Sequence, residues 1–127
     1  MNRQAVIDMG SNSFRLVVYS VEKAEGSAGL PPIGRASDRP DLHWWALTDE
    51  IREAVRVSEG MGRDDRLQPD PMERAVHTAA VFAAFCESSG IDEVDAVATS
   101  AIREASNRDE LLDDIAEQTG LEVRVIS

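Results

Sequence analysis

The first quarter of the chain has the hydrophobic pattern of strands. A short apolar run, Ala5–Ile7, ends at Asp8, and a β-branched and aromatic run, Phe14–Val21, follows it. Between them lies a turn of small polar residues over 9–13. Short apolar runs bounded by turn residues are typical of strands, and so tight a link predicts a hairpin.

Residues 23–43 interrupt this pattern. The segment holds 3 of the 5 prolines and 3 of the 8 glycines and has no apolar periodicity. It predicts a flexible surface loop. Strand-like residues return at Trp44–Leu47 and at Ile51–Val57, which together predict a third strand region, and residues 58–66 predict another loop.

Helical spacing begins in the middle of the chain. Asp70 at the N-cap, Pro71 at the first helical position and Glu73 at the third form a capping-box arrangement, and Gly90 marks the end of the helix. The apolar positions of this helix follow one another at helical spacing. They are Met72, Val76, Ala79, Ala83 and Cys86, flanked by Phe82 and Phe85.

A second helix is predicted from the cap residue Asn107, with Glu110 at the third position, to Gly120. Its apolar face comprises Leu111, Leu112, Ile115 and Ala116. A strand precedes it at Asp95–Thr99 and another follows it at Leu121–Ile126. The predicted order is strand, strand, strand, helix, strand, helix, strand. This order favours an α/β fold with a mixed sheet flanked by helices.

Composition narrows the class of protein. A chain of 127 residues makes about one domain, and its net charge of −11 argues against nonspecific binding to DNA, RNA or acidic membranes. The absence of a long apolar run and of a signal-peptide layout predicts a cytoplasmic protein. The only cysteine, Cys86, excludes an internal disulfide and a cysteine metal cluster.

The turn after the first strand is the first candidate site. Gly10 lets the backbone approach a ligand closely, and successive amides in such a turn form an anion nest to which Ser and Asn side chains add donors. Asp8 would repel a phosphate unless a divalent cation lay between them, which is the arrangement of a magnesium–phosphate site. The alternative interpretation is an ordinary Asp-Gly hairpin turn with a solvated serine.

The end of the fourth strand is the second candidate site. Thr99 and Ser100 supply two hydroxyls there, and Arg103 supplies a guanidinium that can grip two oxygens of an oxyanion. The alternative interpretation is a surface turn in which Arg103 pairs with Glu104 or another carboxylate.

These segments resemble the signatures of one known family. Asp8–Leu16 is similar to the first phosphate loop of the Ppx/GppA phosphatases, which comprise exopolyphosphatases and guanosine pentaphosphate phosphohydrolases. Ala98–Asn107 resembles their second signature, and Arg56–Met61 resembles a third, weaker one. Gly120–Ser127 is similar to the strand that precedes their catalytic helix.

The resemblance implies an actin-like, ribonuclease H-like ATPase lobe and hydrolysis of a terminal phosphoanhydride bond, helped by Mg²⁺ or another divalent cation. It implies that Asp8 faces the metal and that Arg103 is catalytic, stabilising charge on the transferred phosphoryl group. The phosphate-binding residues that it implies are Gly10, Ser11, Asn12, Ser13, Thr99 and Ser100, with Arg15 and Asn107 as secondary contributors.

The family's general base and its second phosphate loop have no counterpart in residues 1–127. We therefore expect an N-terminal subdomain of a longer enzyme that is inactive alone. Its expected partners are polyphosphate or guanosine pentaphosphate as substrate, a second lobe of the same enzyme and a second copy in a homodimer, with no DNA and no membrane. Two alternatives remain: a non-catalytic module that binds polyphosphate or guanosine tetraphosphate, and an ATP-using kinase-like member of the same superfamily.

Overall fold

A computed structural model describes residues 2–22 and 44–126 of the chain, so the predicted loop over 23–43 lies outside the described residues. Five strands and three helices follow one another in the described part. They are β1 (Asn2–Met9), β2 (Phe14–Glu22), β3 (Trp44–Glu53), α1 (Pro69–Ser88), β4 (Glu93–Ala98), α2 (Ser100–Glu104), α3 (Arg108–Thr119) and β5 (Val123–Val125).

The strands form one mixed sheet in the order β3-β2-β1-β4-β5. The β1–β2 and β2–β3 pairs are antiparallel, which confirms the predicted hairpin. The β1–β4 and β4–β5 pairs are parallel, so each needs a crossover, and α1 and the α2–α3 segment provide them. The predicted α/β class with a mixed sheet and flanking helices is confirmed.

The hydrophobic core lies on one face of the sheet. Alternate residues of β1, Ala5, Ile7 and Met9, are buried there against α1 and α3. Phe82 of α1 and Ile115 of α3 belong to the same cluster. Both long helices therefore cover a single face.

The other face, which we call the open face, carries the alternate set of side chains. Among the strand residues whose burial is described, none on this face is buried. Half-buried valines such as Val6 and Val17 occupy its middle, and charged residues surround them. The two-residue period of a strand places Asp8 and Arg15 on this face, and both lie at the end nearest the β1–β2 turn.

The third strand is continuous but ends at Glu53, four residues before Val57, the end of the predicted strand region. The interruption expected between Leu47 and Ile51 is absent, and β3 runs through the polar residues between them. An edge strand tolerates such residues because its side chains meet solvent. A bulge at Thr48 shifts the register, and the Thr48 hydroxyl donates to the carbonyl oxygen of Val18 at 3.1 Å.

The capping box predicted at Asp70 is wrong. The helix begins two residues earlier than predicted, at Pro69, with Gln68 at the N-cap and no side-chain capping hydrogen bond. Pro69 fixes the φ angle of the first helical position and needs no hydrogen-bond acceptor. Asp70 therefore lies inside the first turn, where its charge still favours the positive end of the helix dipole.

The buried face of α1 is rotated from the predicted one. Ala79, Phe82 and Cys86 are buried as expected, whereas Met72 and Val76 are only partly buried. The positions that replace them in the core are Pro71, Ala75 and Thr78. Burial raises the pKa of the Cys86 thiol.

The second half of the chain contains a helix that the pattern missed. The short α2 lies between β4 and the predicted second helix, so the order gains one element. Gly120 ends α3 with a φ of 78°, as predicted. Ala116, expected on the apolar face of α3, is exposed, and β5 is shorter than predicted.

We predict that Phe82→Ala lowers the free energy of unfolding by about 3–5 kcal/mol, because it leaves a cavity in the core. Phe82 is fully buried, whereas its neighbour Val81 is 48% exposed. Urea denaturation followed by circular dichroism measures the change. Val81→Ala is the control on the same helix and should shift stability by less than about 1 kcal/mol. Equal losses for the two variants would contradict the assignment of the core face.

Candidate active site

The two predicted site segments meet at the carboxyl ends of β1 and β4. The amide of Thr99 donates to the carbonyl oxygen of Met9 at 3.3 Å. The amide of Ala101 donates to the hydroxyl oxygen of Ser11 at 3.1 Å. Residues some 90 positions apart in sequence are thus joined directly. In open α/β sheets, ligands collect at this edge.

The β1–β2 turn contains backbone amides that donate no hydrogen bond within the described part of the chain. Gly10 donates its amide to the carbonyl oxygen of Ser13 at 3.1 Å, which closes the turn. A Cβ at Gly10 would lie 3.2 Å from that same oxygen, so the position favours glycine. Among the described residues, no hydrogen-bond acceptor faces the amides of Ser11, Asn12 and Ser13. These three successive amides are therefore available as donors, which is what an anion nest at this turn would require.

A neighbouring loop holds this turn in place through its carbonyl groups. The amide of Arg56 donates to the carbonyl oxygen of Asn12 at 2.9 Å. The amide and hydroxyl of Ser58 approach the carbonyl oxygen of Ser11 at 3.5 and 3.4 Å. The carbonyls of the turn therefore point to the loop and leave the amides for a ligand.

Arg74 of α1 secures that loop in turn. Its Nε donates to the carbonyl oxygen of Val55 at 3.0 Å, and its Nη2 lies 3.4 Å from the carbonyl oxygen of Arg56. The same Nη2 makes an ion pair with Glu59 at 2.9 Å. Arg56 has a φ of 52°, a strained value for a residue with a side chain, and these contacts compensate its cost.

The β4–α2 junction brings the predicted hydroxyls to the same edge. Thr99 is half-buried at the N-cap of α2, and Ser100 is exposed with a φ of 34°. The left-handed backbone at Ser100 turns the chain sharply from strand to helix. This turn lets the next amide, that of Ala101, reach Ser11.

Arg103 lies at this edge but already has partners. Its Nη1 donates to the carbonyl oxygen of Ile126 at 3.3 Å, and its Nη2 lies 3.6 Å from a carboxylate oxygen of Glu104. The pairing with Glu104 is the one that the surface-turn interpretation expected. A guanidinium has five N–H donors, so further donors remain for a ligand. Arg108 fixes the backbone here by donating to the carbonyl oxygen of Arg103 at 2.7 Å.

Asp8 and Arg15 are directly opposite each other on the open face. Asp8 is exposed, and Arg15 is half-buried with an Nε that is buried and has no hydrogen-bond partner among the described residues. No group of three or more His, Cys, Asp or Glu side chains suited to a metal occurs in residues 2–22 and 44–126. Asp8 therefore belongs to no such group, and it lies one residue before the end of β1, close in sequence to the turn.

Asn107, predicted as a helix cap, has a structural role instead. It occupies the N-cap position of α3, but its side chain makes no capping hydrogen bond. Its Oδ1 accepts from the amide of Leu67 at 2.8 Å, and its Nδ2 donates to the carbonyl oxygen of Leu67 at 3.1 Å. This buried bridge ties the segment before α1 to α3, away from the nest.

Sequence reasoning missed Arg74 and Ser58. In the sequence, Arg74 is one of several charged residues of a predicted helix, which are normally exposed to solvent. Its contacts with the 55–59 loop depend on tertiary packing and have no local signal. Ser58 did lie within the weaker third segment, Arg56–Met61, so that motif was a usable signal.

The sheet order and the joined β1–β2 turn and β4–α2 junction define a lobe of the actin-like, ribonuclease H-like ATPase class. The structure superposes on a Ppx/GppA family member from Aquifex aeolicus with a TM-score of 0.77 and 26% identity, covering 98% of this chain and 35% of that one. The sequence of residues 39–127 matches the Ppx/GppA phosphatase family, and the chain belongs to this family.

Further relatives carry exopolyphosphatase names. Exopolyphosphatase 1 of Mycobacterium leprae is 29% identical over 124 residues, which are 98% of this chain and 31% of that protein. An exopolyphosphatase from Cytophaga hutchinsonii superposes with a TM-score of 0.75 and 25% identity, covering 98% of this chain and 34% of that one. The chain spans about a third of the length of these relatives. Within the described residues, no helix is both long and apolar enough to span a membrane.

We predict that Arg74→Met loosens the 55–59 loop and, through it, the turn. Hydrogen bonds from a charged donor contribute about 1.5–3 kcal/mol each, so the amides of Arg56 and Ser58 should lose at least about tenfold in hydrogen-exchange protection. Arg66→Met is the control, since Arg66 makes an exposed ion pair with Glu110 at 3.5 Å, remote from the turn. Unchanged protection at Arg56 and Ser58 in the Arg74 variant would refute the role of Arg74.

Proposed function

We propose that this chain is the phosphate-binding lobe of a phosphohydrolase that cleaves terminal phosphoanhydride bonds. The observation that carries the proposal is the junction of the β1–β2 turn with the β4–α2 segment, recorded by the hydrogen bond between Ala101 and Ser11. It brings unpaired amides, hydroxyls and one arginine to the same sheet edge. Membership of the Ppx/GppA phosphatase family supports the reaction class.

The nest would bind the oxygens of the terminal phosphate. The amides of Ser11, Asn12 and Ser13 supply fixed donors that need no reorganisation when the ligand arrives. The Ser11 hydroxyl accepts from Ala101, so its own proton remains available to donate. The side chains of Thr99 and Ser100 add two hydroxyls from the other side of the edge.

Arg103 would stabilise charge on the transferred phosphoryl group. Phosphoryl transfer depends mainly on positioning and on electrostatic stabilisation, and a guanidinium contributes both. Its contact with Glu104 is partly exposed, so a phosphate can displace it at small cost. Its bond to the carbonyl oxygen of Ile126 holds the guanidinium beside the end of β5.

Asp8 could bind Mg²⁺, because this cation is commonly held by one or two carboxylates together with the phosphates of the substrate. Such an ion would neutralise charge on the phosphate oxygens. Without it, the carboxylate of Asp8 opposes an anion in the nest. Arg15, directly across the β1–β2 ladder, offsets part of that repulsion.

Polyphosphate and guanosine pentaphosphate are the proposed substrates, because both end in a phosphoanhydride-linked phosphate. The name of the Mycobacterium leprae relative favours polyphosphate. A second lobe would complete the cleft and supply the general base. We propose a homodimer for the complete enzyme and a cytoplasmic location.

The binding proposal predicts that orthophosphate with Mg²⁺ shifts the amide resonances of residues 10–13 in the purified chain. Arg103→Gln should weaken the affinity by about tenfold or more, because it removes a charge-assisted contact. Arg63→Gln removes the same charge from an exposed loop position and should change little. Binding that leaves residues 10–13 unshifted, or equal losses in the two variants, would contradict the proposal.

Phosphate release separates catalysis from binding. We expect the 127-residue chain to bind polyphosphate with Mg²⁺ but to release orthophosphate far more slowly than a complete exopolyphosphatase, because in-line positioning needs both walls of the cleft. A colorimetric phosphate assay measures the rate, with the Arg103→Gln variant as the background. Turnover near that of a complete enzyme would place the general base within residues 1–127.

A further inference from the structure

Two arginines lie side by side on the open face, next to the proposed phosphate site. In the antiparallel β2–β3 ladder, Arg52 is directly opposite Arg15. Asp8 is directly opposite Arg15 on its other side. Like charges opposed across a ladder destabilise a sheet. Asp8 offsets part of the charge of Arg15, and an external anion between Arg15 and Arg52 would relieve the repulsion that remains within that pair.

Neither arginine is well neutralised by the protein. Arg15 keeps a buried Nε without a hydrogen-bond partner in the described part of the chain. The nearest carboxylate to Arg52 belongs to Glu50, at 3.9 Å, and both side chains are largely exposed. Exposed pairs at this distance contribute little.

A third arginine of the same face provides the contrast. Arg124 of β5 holds both carboxylate oxygens of Asp95, at 2.7 and 3.2 Å. This pairing raises the pKa of Arg124. Its donors are occupied, whereas those of Arg15 and Arg52 remain available to an external anion.

We infer that Arg52 and Arg15 form a second anion subsite that accepts the inner phosphates of a linear phosphate chain. Adjacent strands lie about 4.8 Å apart, so the row Asp8, Arg15, Arg52 runs roughly 10 Å from β1 to β3. Only the Met9–Phe14 pair separates this row from the β1–β2 turn. A phosphate chain whose terminal group lies in the nest extends along this row over β2 and β3. The inference rests on the proposed function and names its substrate class as a chain of phosphoanhydride-linked phosphates.

The net negative charge of the rest of the chain means that the affinity for a phosphate chain depends on local cations such as Arg15 and Arg52. The net charge of −11 repels a polyanion, and salt screens distant charges beyond roughly 8 Å at physiological ionic strength. Affinity for a longer phosphate chain must therefore come from cations that it touches. Arg52 adds one such contact beyond the reach of a single phosphate in the turn.

The test compares orthophosphate and tripolyphosphate binding by calorimetry, at fixed ionic strength and with excess Mg²⁺. Arg52→Gln should weaken tripolyphosphate binding about five- to tenfold and leave orthophosphate binding unchanged. Arg124→Gln is the matched control: it removes the same charge from the same face and should alter neither affinity more than about twofold. Equal effects of the two variants on tripolyphosphate would overturn the inference.

Glu50 supplies a variant that should act in the opposite direction. Glu50→Gln removes the carboxylate that competes with the ligand for Arg52 and should strengthen tripolyphosphate binding about two- to threefold. A loss of orthophosphate affinity in Arg52→Gln would place Arg52 in the primary site and would also overturn a separate subsite.

The amide resonances of residues 10–13 distinguish failure of this inference from failure of the proposed function. Failure of orthophosphate to shift residues 10–13 refutes the phosphate nest, whereas the dependence of tripolyphosphate binding on Arg52 is measured independently. GTP is a third probe: the same Arg52→Gln loss with GTP assigns the subsite to phosphates shared by both ligands. A loss with GTP alone assigns it to the nucleoside and contradicts the inference.

Discussion

The parallel pairing of β1 with β4 is the constraint on which the rest of this lobe depends. It runs from Gln4 opposite Glu93 to Met9 opposite Ala98, and it places the carboxyl ends of both strands at one edge. Because parallel neighbours cannot be joined by a tight turn, the chain between them must cross over the sheet. The 20-residue helix α1 makes that crossing, and its buried residues Ala75, Ala79, Phe82 and Cys86 belong to the core. The same strand pairing therefore places α1 against the core and brings the two segments of the candidate site together.

The site edge concentrates backbone strain that the surrounding contacts offset. Of the three described residues with side chains and positive φ angles, Arg56 and Ser100, at 52° and 34°, adjoin the site, and Asp65 is the third. Such conformations cost of order 1–3 kcal/mol each and persist where the surroundings fix them. Here the hydrogen bonds that fix these residues are made to the β1–β2 turn. The amide of Arg56 donates to the carbonyl oxygen of Asn12, and the amide of the residue after Ser100 donates to the hydroxyl oxygen of Ser11. The turn therefore acquires its shape from two flanking segments.

Local patterns predicted the elements whose signals are local. The hairpin followed from two short apolar runs and a polar turn, and Gly120 marked a helix end because a left-handed residue there favours glycine. The capping box failed because Pro69 offered an equally good helix start two residues before Pro71. The five-residue α2 has too few positions to display a helical period.

The candidate site divides in the same way. The motifs around Ser11 and Arg103 were visible in the sequence, and the structure brings the two segments together at one sheet edge. The contacts of Arg74 with the 55–59 loop were not visible, since they depend on how a helix is rotated against a loop. Asn107 looked like a cap by position, but its amide is bonded to Leu67, 40 residues away.

The single cysteine, Cys86, allows local opening of the protein to be measured by chemical labelling. Cys86 is 4% exposed in the last turns of α1, and its raised pKa keeps the thiolate scarce at neutral pH. Because the thiol is buried, we expect alkylation to need a local opening around this end of the helix. The labelling rate, followed by mass spectrometry, therefore counts those openings without any introduced dye or mutation. Ligands that tighten the distant sheet edge will slow that rate only if the two ends of α1 open as one unit.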